Sequence, residues 1–253
     1  MERWAGKVAV VTGACGGIGA GICKELVRQG MIVCGFSRRT DLVEALRADL
    51  VGAPGQLNAV ECDIRSEPSV LYAFNWIINT YGGVDLLINN AGVITKKLLL
   101  DDNNTRELRK IFETSLIGLV LCTKNALKSM VSRNFEGHIV NVNSIFGHTL
   151  NQTVPGLKPL NGSFAPAKFG VTALTAYLQQ EIFYLNIKAT MSSVSPGLTD
   201  TDFLAQPGSG NEIVKYMPRL KPEDVAEAVI YIITRPKHIW IEDIIIKPVG
   251  EFL

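Results

Sequence analysis

Two periodicities share this chain. Short unbroken runs rich in Val and Ile read as strands buried on both faces, and between them lie segments whose apolar residues recur every three to four positions, as on amphipathic helices. KVAVVTG predicts a first strand and GAGICKELVRQG a first helix, with Ile18, Ile22 and Leu26 on one face. MIVCGFSRR predicts a second strand, TDLVEALRADLV an amphipathic helix, LNAVECDI a third strand and PSVLYAFNWIINTYGG another helix. VDLLINNAG follows as a fourth strand and TRELRKIFETSLIGLVLCTKNALKSMV as one long helix. GHIVNVNS makes a fifth strand, and after a loop FAPAKFGVTALTAYLQQEIF predicts a helix. IKATMSSVSPG is the sixth strand, KPEDVAEAVIYII the last helix and WIEDIIIKPV the closing strand.

Strands alternating with helices imply an α/β fold: a doubly wound parallel sheet of about seven strands with helices on both faces. No polar linker, repeat or low-complexity tract divides the chain, so residues 1–253 are expected to form a single domain. The longest irregular stretch runs from Thr199 to Leu220, around Pro207-Gly208-Ser209-Gly210, and reads either as a lid or as a surface loop. Its apolar residues Phe203, Leu204, Ile213, Val214, Tyr216 and Met217 either line an apolar pocket or pack the loop on the body.

Composition narrows the classes of function. A net charge of +1 suggests neither a nucleic-acid surface nor an acidic partner. The longest apolar runs fall short of a membrane span, and no leader pattern precedes the first strand, so a cytoplasmic location is the expectation. Cys15, Cys23, Cys34, Cys62 and Cys122 lack CxxC or Cys/His metal spacing and read as free thiols, with no metal site. The N-x-S/T matches at Asn103, Asn151 and Asn161 are read as chance.

The first strand ends in TGACGGIG, and a helix begins within it. Glycines 13, 17 and 19 permit a tight turn and let backbone N–H groups face a pyrophosphate at the helix N-terminus, which makes the fold Rossmann-type. The second strand ends in Ser37-Arg38-Arg39, where a dinucleotide fold meets the adenosine ribose. A carboxylate there would bind both ribose hydroxyls, whereas arginine accommodates a 2′-phosphate. Arg38, with Ser37 or Arg39, therefore points to NADP(H); the alternative is arginines that serve only solubility.

TGACGGIG, CDI at 62–64, NNAG at 89–92, SPG at 195–197 and the lysine-bearing helix resemble the short-chain dehydrogenase/reductase family, over the whole length and in order. GHIVNVNSIFGH and the insertion NQTVPGLKPLN look most like its insect-type NADP-dependent alcohol and farnesol dehydrogenases and their vertebrate relatives. The resemblance implies that Gly13, Gly17, Ile18 and Gly19 wrap the pyrophosphate and that Asp63 and Ile64 hold the adenine. Asn90, Ala91 and Gly92 would flank the cofactor, and Pro196, Gly197 and Thr201 would secure the nicotinamide end, Thr201 matching the threonine that holds the carboxamide. On chemistry alone, Asp63 could instead cap the following turn. The resemblance also implies a homodimer or homotetramer, since the helices around 105–131 and 164–184 are the family's dimer surfaces.

In this family a tyrosine donates the proton. A lysine four residues on lowers its pKa and holds the nicotinamide ribose, a serine binds the carbonyl oxygen, and an asparagine on the preceding long helix anchors a water relay. Ser144 matches the serine and Lys168 the lysine, although a strand-end serine and a snorkelling lysine are the plain alternatives. Phe164 stands where the tyrosine belongs, and Ser115 where the asparagine belongs. Phenylalanine has no ionisable group, so the expected hydride exchange between nicotinamide and a small lipophilic alcohol or carbonyl should be impaired. The alternative is an inactive relative that binds cofactor, ligand or a partner. Tyr184 lies twenty positions down the helix and Ser163 points about 100° away, which leaves His148 as a substitute proton donor or as an ordinary loop histidine.

Overall fold

The computed structural model describes residues 1–95, 97–150, 162–201 and 216–251. The whole insertion NQTVPGLKPLN and the centre of the expected lid, with Phe203, Leu204, Ile213 and Val214, lie outside the described residues. In chain order the elements are β1 (Val8–Thr12), α1 (Gly17–Arg28), β2 (Ile32–Ser37), α2 (Thr40–Ala45), β3 (Gln56–Glu61), α3 (Glu67–Tyr81), β4 (Leu86–Asn89) and α4 (Thr105–Phe112). Then come α5 (Gly118–Ser132), β5 (Gly137–Val142), α6 (Phe164–Tyr184), β6 (Ala189–Pro196), α7 (Pro222–Ile233) and β7 (Asp243–Ile246).

All seven strands join one sheet in the order β3-β2-β1-β4-β5-β6-β7, and every pairing is parallel. The alternation of side chains along β1 shows how the sheet is covered. Val8 and Val10 face one apolar layer with Phe74 of α3, Met130 of α5 and Ile182 of α6; Ala9 and Val11 face a second with Leu26 of α1 and Val229 of α7. Val10, Val11, Leu26 and Val229 are wholly buried, each apolar side chain contributing about 1.5–3 kcal/mol against exposure. No described helix is long and apolar enough to cross a membrane.

The long helix expected over residues 105–131 is not continuous. Between α4 and α5 the chain makes a π-turn, Glu113–Ile117, whose wider ring closes through Gly118 N–H donating to Glu113 O. The following Gly118 lies so close to Ile64 that a Cβ would come 2.8 Å from its Cδ1. Ser115 sits at the middle of this π-turn and is 4% exposed.

A buried polar ladder ties the sheet to the helices behind it. Asn89 Nδ2 donates to Thr123 Oγ1 of α5 at 3.1 Å and to Asn141 Oδ1 at 3.0 Å, while Asn141 Nδ2 donates to Thr175 Oγ1 of α6 at 2.9 Å. Asn143 Nδ2 donates to Thr172 Oγ1 at 2.8 Å, one turn beyond Lys168. These bonds fix the depth and rotation of α6, and with them the direction of its first turns.

Candidate active site

The strand order reverses between β1 and β4, and at this end of the sheet the chains leaving them diverge. A cavity of about 520 Å³ opens there, lined from the C-terminal ends of six strands. Of the residues singled out in the sequence, Gly13, Gly17, Ile18, Ser37, Arg38, Arg39, Asp63, Ile64, Asn90, Ala91, Gly92, Ser144, Phe164, Lys168, Pro196, Gly197 and Thr201 all line it. Gly19 is buried behind the glycine-rich turn, and Ser115 faces a separate space.

The turn is shaped by close approaches. A Cβ at Gly19 would lie 2.3 Å from Gly13 O and 2.5 Å from Asn90 Nδ2, both fixed groups. Gly17 has φ +52, and a Cβ there would meet the Thr201 methyl at 3.0 Å, so the turn and the loop after β6 close on one another. Thr12 supplies a clasp between the diverging chains: its hydroxyl accepts from Asn90 N at 2.9 Å and Ala91 N at 3.0 Å, while Asn90 Nδ2 donates back to Thr12 O and Gly13 O. The glycines let the turn close tightly at the start of α1 without side chains of their own, and the residues present therefore fit a pyrophosphate.

At the β2 end, Arg38 is exposed on the cavity wall. Ser37 turns inward to accept from Arg39 N at 2.9 Å, and the Arg39 guanidinium reaches Cys15 Sγ at 3.2 Å. Asp63 accepts from Arg65 Nε at 2.9 Å, Arg65 Nη2 at 2.5 Å and Arg65 N at 3.1 Å. Those hydrogen bonds hold its carboxyl below the usual range. The capping role left open in the sequence is thus present, and Arg65 adds a third guanidinium to this wall. A basic residue two positions after Asp63 was its only sequence signal.

At the β5 and β6 end, Ser144 caps the short turn Ile145–Gly147, its hydroxyl accepting from Phe146 N at 3.2 Å. Lys168 is 6% exposed. Its Nζ donates to Val142 O at 2.8 Å and lies 5.5 Å from the centre of the Phe164 ring. Burial pulls the ammonium down from 10.5 to about 8. Phe164 offers this cation a π face in place of a hydroxyl.

Behind Lys168 a second pocket of about 10 Å³, the size of one water, is lined by Ser115, Asn89 and Thr114. Ser115 Oγ and Asn89 Oδ1 are buried there with no hydrogen-bond partner among the described residues. The substitute proton donors weighed above are elsewhere. His148 Nε2 lies 2.8 Å from Ser195 Oγ and 3.0 Å from Asp243 Oδ2 and does not line the cavity. Ser163 Oγ is wholly buried outside it, and Tyr184 is 87% exposed at the far end of α6. The cysteines are free; burial drives Cys34 and Cys62 up to about 12, well outside the range of reactive thiols. Glu251, which no motif marked, completes the wall beside Pro196, Gly197 and Leu198.

Known proteins resemble the chain along its length. Residues 7–211 match the profile of the family described as short chain dehydrogenase. A farnesol dehydrogenase of Aedes aegypti is 40% identical, covering 99% of both chains. Dehydrogenase/reductase SDR family member 11 of Mus musculus is 38% identical, over 99% of this chain and 97% of its own. The X-ray structure of an alcohol dehydrogenase from the archaeon Thermococcus sibiricus, complexed with 5-hydroxy-NADP, superposes with a TM-score of 0.79 at 26% identity, covering 97% of both chains. With the glycine cradle, the reversal of strand order and the placement of Lys168 already seen, the chain belongs to the short-chain dehydrogenase/reductase family, oxidoreductases that bind a nicotinamide cofactor.

Proposed function

We propose that this protein binds NADP(H) in the 520 Å³ cavity and acts on a small lipophilic alcohol or carbonyl, with turnover muted by Phe164. The single observation that carries this reading is Lys168, a buried cation of the cavity wall, facing a phenyl ring where a phenol would otherwise transfer the proton. Gly13, Gly17, Ile18 and Gly19 take the pyrophosphate; Asp63 and Ile64 flank the adenine; Ser37, Arg38 and Arg39 meet a 2′-phosphate, with Arg65 beside them. Asn90, Ala91 and Gly92 border the centre, and Pro196, Gly197 and Thr201 hold the nicotinamide end. The bound cofactor supplies or accepts the hydride. Ser144 Oγ donates to the substrate oxygen, and Lys168 provides positive charge beside it. A serine hydroxyl is too weak an acid to protonate an alkoxide, and the Lys168 ammonium is engaged with Val142 O, so no group takes over the direct proton transfer of the phenol and the reaction is slow.

The lipophilic substrate class is supported by the apolar side chains of the cavity, among them Val93, Ile94, Val142 and Phe146, and by the name of the Aedes aegypti relative. A second reading, a relative that binds cofactor and ligand without turnover, is favoured by Ser115 and Phe164 departing together from the family pattern. We further read the protein as cytoplasmic and as a homodimer or homotetramer, with exposed Ile117, Val131 and Tyr177 on the long helices as its association surface.

Single-turnover reduction of a panel of apolar carbonyls by NADPH, compared between the native chain and Phe164→Tyr, tests the proposal. The variant is expected to react on the order of 100- to 10,000-fold faster. Equal rates would remove Phe164 as the cause of muting. NADPH binding without reduction in either protein would favour the second reading.

A further inference from the structure

A charged side chain from the far end of the chain reaches the cavity, unused by the reading above. After β7 the backbone turns, Glu251 N donating to Pro248 O at 3.1 Å, and Glu251 folds over the loop that follows β6. Its Oε1 accepts from Leu198 N at 2.9 Å. Its Oε2 is buried with no hydrogen-bond partner among the described residues. The carboxylate rests flush on Gly197, where a Cβ would come 2.0 Å from Oε2. No ion pair to it occurs among the described residues, and burial pushes its carboxyl up, against the opposing hydrogen bond from Leu198 N and then the charge of Lys247. When ionised, Glu251 places on the wall beside Pro196 and Gly197 a negative charge that the protein leaves poorly compensated.

Resting on the cofactor reading, these residues border the nicotinamide end. An oxidised nicotinamide ring is cationic, and a reduced one is neutral. We propose that Glu251 determines the redox preference of the bound cofactor, its carboxylate favouring the oxidised form over the reduced. Lys168, at the same end, carries the opposite charge. Its ammonium already has Val142 O and the Phe164 ring as partners, whereas one oxygen of Glu251 has none. No bond is made or broken in this role; the carboxylate acts only by its field.

The test is the pair of dissociation constants for NADP+ and NADPH, measured by calorimetry on the native chain, Glu251→Gln and Gly197→Ala. Glutamine retains an oxygen for Leu198 N–H but no charge. The alanine methyl displaces the carboxylate while leaving its charge on the chain. The native preference for NADP+ relative to NADPH should fall about 3- to 10-fold in Glu251→Gln, the scale of one partly screened charge. It should fall in the same direction in Gly197→Ala, and thermal melts report whether either variant has lost its fold. An unmoved ratio in folded Glu251→Gln overturns the proposal, as does an equal loss of affinity for both forms, which marks a merely structural latch. If the native chain binds neither form, the cofactor reading itself fails and this inference with it; if both bind and only the ratio is unmoved, the inference alone fails.

Discussion

Replacing Lys168 with methionine should reveal how much folding energy the buried ammonium costs. Lys168 is 6% exposed, and burial lowers its pKa from 10.5 to about 8. At about 1.4 kcal/mol for each tenfold change in proton affinity, the folded chain carries a penalty on the order of 3 kcal/mol at pH 7. Against this, methionine loses the hydrogen bond to Val142 O and the contact with the Phe164 ring, together worth about 2 kcal/mol. Lys168→Met should therefore be at least as stable as its parent at pH 7. The pH dependence carries a definite sign. Below pH 8 both folded and unfolded chains hold the proton and the full penalty applies. Between pH 8 and 10.5 the unfolded chain binds more protons, so the parent gains stability as pH rises and the variant does not. Integrated from pH 7 to pH 9, the parent recovers about 1.3 kcal/mol relative to Lys168→Met. Urea unfolding at both pH values, followed by tryptophan fluorescence, measures this directly. A stability difference that is the same at pH 7 and pH 9, within the reproducibility of the extrapolation, would refute the reasoning.

Two further substitutions test other parts of the framework. Arg38→Ala should weaken NADPH binding about tenfold or more while leaving NADH unchanged, measured by titration of each; an equal loss for both would remove Arg38 from recognition of the 2′-phosphate. Asn141→Ala removes one hydrogen bond each from Asn89 Nδ2 and Thr175 Oγ1, at 3.0 and 2.9 Å, while Thr123 Oγ1 and Val171 O still pair with them; it should cost about 1–3 kcal/mol, seen as a melting temperature lowered by roughly 2–10 °C.

Much of this architecture can be read from periodicity. The Val- and Ile-rich runs of β1 and β5 became strands because burial on both faces removes the polar alternation of a half-exposed strand. The glycine turn, Ser144 and Lys168 were legible because each backbone or side-chain requirement is local. The π-turn was not, since ETSLIGL has ordinary helical spacing and the extra residue in the ring changes no residue type. His148 reads from sequence as a substitute proton donor or an ordinary loop histidine; its partner Asp243 of β7 is 95 positions away and left no local signal. Glu251 was invisible for the same reason: its partner Leu198 is 53 positions distant, and a lone glutamate near a terminus looks like solvated surface. Asp63 satisfied its local alternative, holding Arg65, because a neighbour two residues away is always within reach.

The Thr12 clasp has a thermodynamic consequence. Where β1 and β4 part, two backbone N–H groups are held by the Thr12 hydroxyl and two backbone carbonyls by the Asn90 carboxamide, all within the protein. The width of the crevice is thus set by the protein's own groups. A guest entering it need not organise the walls, so little of its binding enthalpy is consumed in stiffening the host. Neither Phe164 nor Lys168 takes part in the clasp, so substitutions at those positions should leave this preorganisation intact.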